Sequence, residues 1–295
     1  MNRPEAITTE QAIIESGRCK ICGHPELVEI AHAACCRNCG VLLYYPYPMA
    51  SEPCFINKDA AYAWYGASAA FNHVNFTRML RYATSGQPVM APLSILDFGG
   101  GGGQFALICK SHFPRATVYL LDINNDSALK EWSPLNLRLQ FDAFAADTTR
   151  FDFIFLNDVF EHLDDPVTTL QLLAGKLKPG GKIFIDTPRQ FWIYPLTRVL
   201  SRHLHLKLLK GTVSPAHLQI WSSKSFDIAV RRAGLRIEKM TTWAEFTLPY
   251  EYYLTNMGIT HPAVRFAGRA MYAAARFILR NKIVCVLTIP EAKPA

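Results

Sequence analysis

From residue 93 onward, short apolar runs alternate with segments of helical length. The runs read LSILDF, TVYLLDI, LRLQF, FDFIFLN, GKIFIDT, LRIEKMT and NKIVCVLTI. Strand and helix in alternation predict an α/β fold: a doubly wound, mostly parallel sheet of seven strands, helices on both faces, and ligands at the carboxyl ends of the strands. Upstream the pattern changes. Residues 1–17 read as a lead-in, residues 18–45 hold paired cysteines, and the proline-rich YPYPMASEP leads into a helical connector over residues 46–90. The main domain is expected over residues 91–295, with no internal repeat and no low-complexity tract.

The stretch ILDFGGGGGQFALI, residues 95–108, sets five glycines between a strand candidate and a helix candidate. Each glycine in regular structure costs roughly 0.5 to 1 kcal/mol more than alanine. A strand-to-helix turn offsets that cost, because glycine supplies positive φ and lets backbone approach a ligand beside a helix N-terminus. Two ligand patterns fit. Gly101, Gly103 and Ala106 match the dinucleotide form G-x-G-x-x-A, while Asp97, Gly99, Gly101 and Gly103 match D-x-G-x-G-x-G. Asp122, at the end of VYLLD, suits ribose hydroxyls under either pattern.

Composition narrows the class. Half of the 295 residues are hydrophobic and 19% are charged, enough to build a sizeable core. A formal charge of +7 favours anionic partners. The first residues lack the apolar core of a signal peptide, and no apolar run reaches the roughly 18 residues needed to cross a bilayer, so a cytoplasmic location is expected. In a reducing compartment cysteine spacing is read as metal or core chemistry. The knuckles CKIC and CRNC, Cys19 with Cys22 and Cys36 with Cys39, supply four thiolates for a closed, structural tetrahedral zinc site. Cys35 is the alternative to Cys36. Cys54, Cys109 and Cys285 read as core. A ribbon of this kind is expected to be separable, so that Cys36→Ser unfolds the leader and leaves the main domain folded.

Beyond these patterns, the chain resembles the class I S-adenosylmethionine-dependent methyltransferases. The resemblance is carried by the D-x-G-x-G-x-G turn, then FDFIFLNDVFEHLDDP, LLAGKLKPGGKIFIDTP and HLQIWSSKSFDIAVRRAGL in the family's order. It spans residues 93–242. The cysteine unit followed by CGVLLYYPYP is similar to the zinc-binding leader of bacterial methyltransferases of sugar and polysaccharide biosynthesis. The resemblance implies a Rossmann-like methyltransferase fold with a small N-terminal zinc ribbon. It implies that Gly99, Gly101 and Gly103 approach the methionine part of the donor with Asp97 near its amino group. Asp122 would hold the ribose, Asp142 would neighbour the adenine, and Asn157 would face the donor through its backbone. Asp165 before Pro166 reads as a helix cap.

The expected acceptor is a small-molecule or lipid-linked, anionic, sugar-type glycan methylated at a hydroxyl. Two basic amphipathic segments, residues 196–211 and 264–282, would meet such an acceptor or give peripheral contact with the inner face of a membrane. The same stems would also cover a core helix by snorkelling. Nucleic acid is the less expected partner, although an RNA methyltransferase using the ribbon for RNA is one alternative and a non-catalytic donor-binding assembly partner another. Two histidines are candidate bases, each with a packed, structural reading beside it. His217 sits on a lid-like segment and His162 follows the fourth strand in DVFEHL, with Asp158 and Glu161 as orienting carboxylates.

Overall fold

The computed structural model describes residues 17–30, 33–44, 58–123, 137–138, 143–190, 217–245, 250–256, 258–278 and 280–291. Three short strands come first: β1 (Leu27–Ile30), β2 (Ala33–Cys36) and β3 (Leu42–Tyr44). The connector is a long helix, α1 (Lys58–Ala83). The predicted alternation follows as β4 (Ser94–Phe98), α2 (Gln104–His112), β5 (Thr117–Leu121), β6 (Leu137–Arg138), β7 (Phe151–Asn157), α3 (Pro166–Ala174) and β8 (Leu177–Pro188). Then come β9 (Gln219–Ile220), α4 (Ser223–Arg232), β10 (Arg236–Trp243), α5 (Tyr250–Asn256), α6 (Pro262–Ile278) and β11 (Lys282–Thr288).

The larger sheet has the order β10-β11-β8-β7-β4-β5-β6, six strands of full length with the two-residue β6 at one edge. Neighbours from β6 to β8 pair in parallel. β11 runs against both β8 and β10, so the sheet is mixed. Side chains alternate across its two faces as the pleat demands. Ile154, Leu156, Ile183, Ile185, Ile283 and Cys285 pack with Leu170 and Leu173 of α3 and Phe226, Ala229 and Val230 of α4. Phe153, Phe155, Phe184, Val284 and Val286 pack on the opposite face with Met79 and Leu80 of α1 and Phe105 and Cys109 of α2. Cys109 and Cys285 are therefore core residues, as their spacing indicated. Asp165 caps α3 by accepting from the Thr168 N–H at 3.0 Å, with Pro166 in the first turn.

A second sheet, β1-β2-β3-β9, carries the cysteine knuckles. Its fourth strand comes from far downstream: Leu42 pairs with Ile220 and Leu43 with Gln219. Ile21 and Val41 share a core cluster with Trp221, Phe226 and Phe160, and Phe160 stacks on Trp221 with ring centroids 4.6 Å apart. The expectation of a separable leader is thereby corrected. The cysteine unit completes its sheet and its core with residues of the main domain.

Candidate active site

The glycine turn lies where β4 ends and α2 begins. Gly99, Gly101 and Gly103 have φ of 73°, 50° and 84°, the left-handed region where a side chain is strained. The Gly99 N–H donates to the Leu121 carbonyl at 2.7 Å, and the Gly101 N–H donates to Asp122 Oδ2 at 2.8 Å. Packing is as restrictive as conformation. A Cβ on Gly100 would lie 2.3 Å from Asp97 Oδ2, and one on Gly99 would lie 2.5 Å from a Val159 methyl. Gly103 is the N-cap of α2 and offers no side-chain cap, leaving the helix's first amides and positive dipole end toward the turn.

Within this turn Asp97 is 1% exposed, and its Oδ2 has no hydrogen-bond partner. Burial, and then the nearby charge of Asp122, push its carboxyl up to about 7. Asn157, at the end of β7, likewise leaves both Oδ1 and Nδ2 buried without partners. Orphaned buried polar groups are rare enough to mark functional positions. The sequence-predicted donor residues Asp97, Gly99, Gly101, Gly103, Asp122 and Asn157 thus gather at the carboxyl ends of neighbouring parallel strands. Asp142 falls outside the described residues, as does the basic segment 196–211.

Beside Asn157 stands the second group. The chain leaves β7 through Asp158, at a φ of 53°, and winds through a 3-10 turn, Phe160–His162. Glu161 is fully buried in that turn. Its Oε2 accepts from Thr187 Oγ1 at 2.9 Å, and its Oε1 lies 3.7 Å from His217 Nε2. The His162 and His217 rings meet edge to face with centroids 4.9 Å apart. His217, expected on a lid-like segment, has a side chain that is 12% exposed. Leu218 N–H donates to the Glu161 carbonyl at 2.9 Å, and Gln219 Nε2 donates to the carbonyls of Phe160 and Leu163 at 2.9 and 3.0 Å. Burial, and then His162, hold the His217 pKa well below its ordinary value, so the imidazole is neutral at neutral pH. Burial pushes Glu161 up to about 8.

The four predicted cysteine ligands converge. Cys19 Sγ lies 3.7 Å from Cys39 Sγ, and Cys22 Sγ lies 3.5 Å from Cys36 Sγ. All four sulfurs fall within 4.8 Å of one another. A tetrahedron of thiolates at the usual zinc–sulfur length of about 2.3 Å has edges of about 3.8 Å, so the donor set and its spacing fit a zinc ion. Cys35 is outside the group. The unit is tied to the main domain by Ser222 Oγ donating to the Cys39 carbonyl at 2.6 Å, Gln190 Nε2 to Gly40 at 2.6 Å and Arg232 to Ile21 at 2.7 Å.

Sequence reasoning missed a buried charge group at the same end of the sheet. Lys282, which opens β11, donates to Asp158 and, at 3.1 Å, to Asp186 Oδ2. Glu245 completes the cluster with those two carboxylates. Burial pulls Lys282 down to about 7 and pushes Asp186 well above the carboxylate range. The available signal was a charged residue inside each of two apolar runs, FIDT and NKIVCVL.

Among known proteins, a family model described as a methyltransferase domain matches residues 67–240, more than half of the chain. The ubiquinone biosynthesis O-methyltransferase of Coxiella burnetii is 26% identical over 198 residues, covering 62% of this chain and 81% of that protein. Its namesake from Haemophilus ducreyi is 23% identical over 223 residues, covering 68% and 89%. The solved structure of the plantazolicin methyltransferase BpumL in complex with SAH matches with a TM-score of 0.50 at 17% identity, over 80% of this chain and 92% of that one, a likeness of fold. With its glycine turn, acidic strand ends and Rossmann-like sheet, the chain belongs to the methyltransferase-domain family and is an S-adenosylmethionine-dependent methyltransferase.

Proposed function

We propose that the protein methylates a hydroxyl oxygen, with the donor in the glycine turn and His217 as the base. The observation that carries this reading is the row of orphaned polar groups at the carboxyl ends of β4 and β7, running from Asp97 through Asn157 to the Glu161–His217 pair. When bound, S-adenosylmethionine supplies a methyl group activated on a sulfonium. The residues' share is placement. The glycine turn admits the donor, Asp122 accepts from its ribose, and the walls around Asn157 and Glu161 exclude water while nucleophile and methyl carbon are held in line. His217 Nε2 takes the hydroxyl proton, and Glu161 stabilises the imidazolium that results. Oxygen as the methylated atom is supported by the names of the relatives in Coxiella burnetii and Haemophilus ducreyi. A sugar-type acceptor rests on the cysteine leader, and its being anionic or lipid-linked on the two basic segments. We further propose one structural zinc per chain at Cys19, Cys22, Cys36 and Cys39.

Radiolabelled methyl transfer to nucleotide sugars, lipid-linked phenols and sugars, and RNA tests the acceptor class. Transfer to a hydroxyl of either small-molecule group is expected, and transfer to RNA alone would overturn the reading. For the donor, Asp122→Ala is expected to weaken S-adenosylmethionine binding by roughly 1.5 to 3 kcal/mol in calorimetry, through lost hydrogen bonds to a charged acceptor. NAD binding in its place would contradict the assignment.

The pH dependence follows from the groups around Glu161, which are Thr187, His217, His162 and the carboxylates Asp186 and Glu245. His217 stays neutral across the neutral range, so the rate is expected to rise with pH through about 8 as Glu161 ionises and supports the imidazolium. Glu161→Gln is expected to flatten that rise in a kcat–pH profile at saturating donor. Stability runs the opposite way. Glu161 and Glu245 titrate near 8 when folded against an ordinary 4.5, so both hold protons more tightly in the native state, and their contribution is lost as pH rises through that window.

A further inference from the structure

Helix α6 turns its apolar side away from the protein. Phe266, Met271, Ile278 and Val264 are 78%, 72%, 68% and 49% exposed, and the alanines between them at 263, 267, 270, 273 and 274 are exposed as well. The face that meets the protein is the other one. Gly268 abuts Leu254 of α5, where a Cβ would lie 2.9 Å from the leucine. Arg265 donates to the Ile259 carbonyl at 3.0 Å, Arg269 lies over the Tyr250 ring at 5.5 Å, and Tyr272 meets Tyr250 with centroids 6.1 Å apart. Among the described side chains of this helix, those of Val264, Phe266, Met271 and Ile278 therefore face away from the core.

Charge identifies what covers the outward face. Residues 258–282 contain no aspartate or glutamate but four arginines, Arg265, Arg269, Arg276 and Arg280, and of these Arg269 and Arg280 are exposed. Glu251 of α5 lies near Arg265 and Arg269 and offsets part of their charge. A helix with one exposed apolar side, a net positive charge and no acids suits the plane of an anionic lipid surface. A second copy of the chain would set two positively charged helices against each other. No helix among the described residues is long and apolar enough to cross a membrane.

Topology gives the surface a use. α5 and α6 form the excursion between the end of β10 and the start of β11, where Trp243 pairs with Lys282 and Lys282 with Pro188. That is the end of the sheet at which β4 and β7 present the glycine turn and Asn157. We propose that α6 docks the protein on anionic membranes through Val264, Phe266, Met271 and Ile278, with its acceptor-facing end toward the lipid.

The test is flotation of the full chain with phosphatidylcholine vesicles, with and without phosphatidylglycerol, alongside the double variant Phe266→Asp, Met271→Asp. Binding to the anionic vesicles is expected, and the double variant should bind them at least about tenfold more weakly. Unchanged S-adenosylmethionine affinity would confirm that the variant is folded. Failure to bind anionic vesicles, or equal binding by the double variant, would overturn the proposal. So would a homodimer in light scattering that the double variant breaks, since that would assign the face to a second copy. Vesicle binding is read without any acceptor, so this outcome is independent of the methylation reading.

Discussion

Cys36→Ser is expected to abolish zinc binding and, with it, most methyl transfer, while S-adenosylmethionine affinity stays within about threefold of the parent. Apparent zinc affinities of structural thiolate sites amount to about 10–16 kcal/mol near neutral pH, and in so small a unit that is folding energy. Here the loss travels further. β3 of the cysteine sheet pairs with β9, and β9 begins two residues after His217. When the ribbon loosens, Ser222 and Gln190 lose their acceptors on Cys39 and Gly40, and the 217–221 segment loses one of the two surfaces that hold it. The glycine turn is anchored elsewhere, on Leu121 and Asp122. Elemental analysis, kcat and donor calorimetry on one preparation decide the matter. Zinc-free protein with parental kcat would show that the ribbon positions nothing.

His217→Ala is expected to lower kcat by about a hundredfold or more, the usual worth of a placed general base, with little change in donor affinity. A residue that merely packed would shift stability and KM together. A base instead lowers kcat and reshapes the pH profile. His162→Ala makes the comparison. It removes the neighbour that helps hold His217 below its ordinary pKa, so the His217 titration should move upward toward the assay range while turnover persists. Near-parental turnover in His217→Ala from pH 6 to 9 would end the assignment, and a loss confined to His162→Ala would transfer the role.

Much of the fold follows from short-range pattern. FDFIFLN and KIVCVLT are apolar on both pleat faces, the signature of strands covered by helices on two sides, and they become β7 and β11. Five glycines after an acidic strand end mark a turn that only glycine conformations and close packing allow, and three of them adopt positive φ. Two C-x-x-C knuckles place their sulfurs at metal spacing because each knuckle is a tight local turn. All of these depend on residues a few positions apart, where sequence order and spatial order nearly coincide.

What the sequence by itself determined was therefore the alternation of elements, the glycine turn and the grouping of four cysteines. Only the tertiary structure decided that β9 completes the cysteine sheet, that Glu161, His162 and His217 meet, and that Lys282 answers Asp158 and Asp186. Likewise the apolar side of α6 is legible as a pattern, but which side faces solvent is not. The reason is physical. Each of these pairings joins residues separated by tens to hundreds of positions, and its free energy comes from desolvation and packing that exist once the sheet has assembled, not from any local preference of the residues involved.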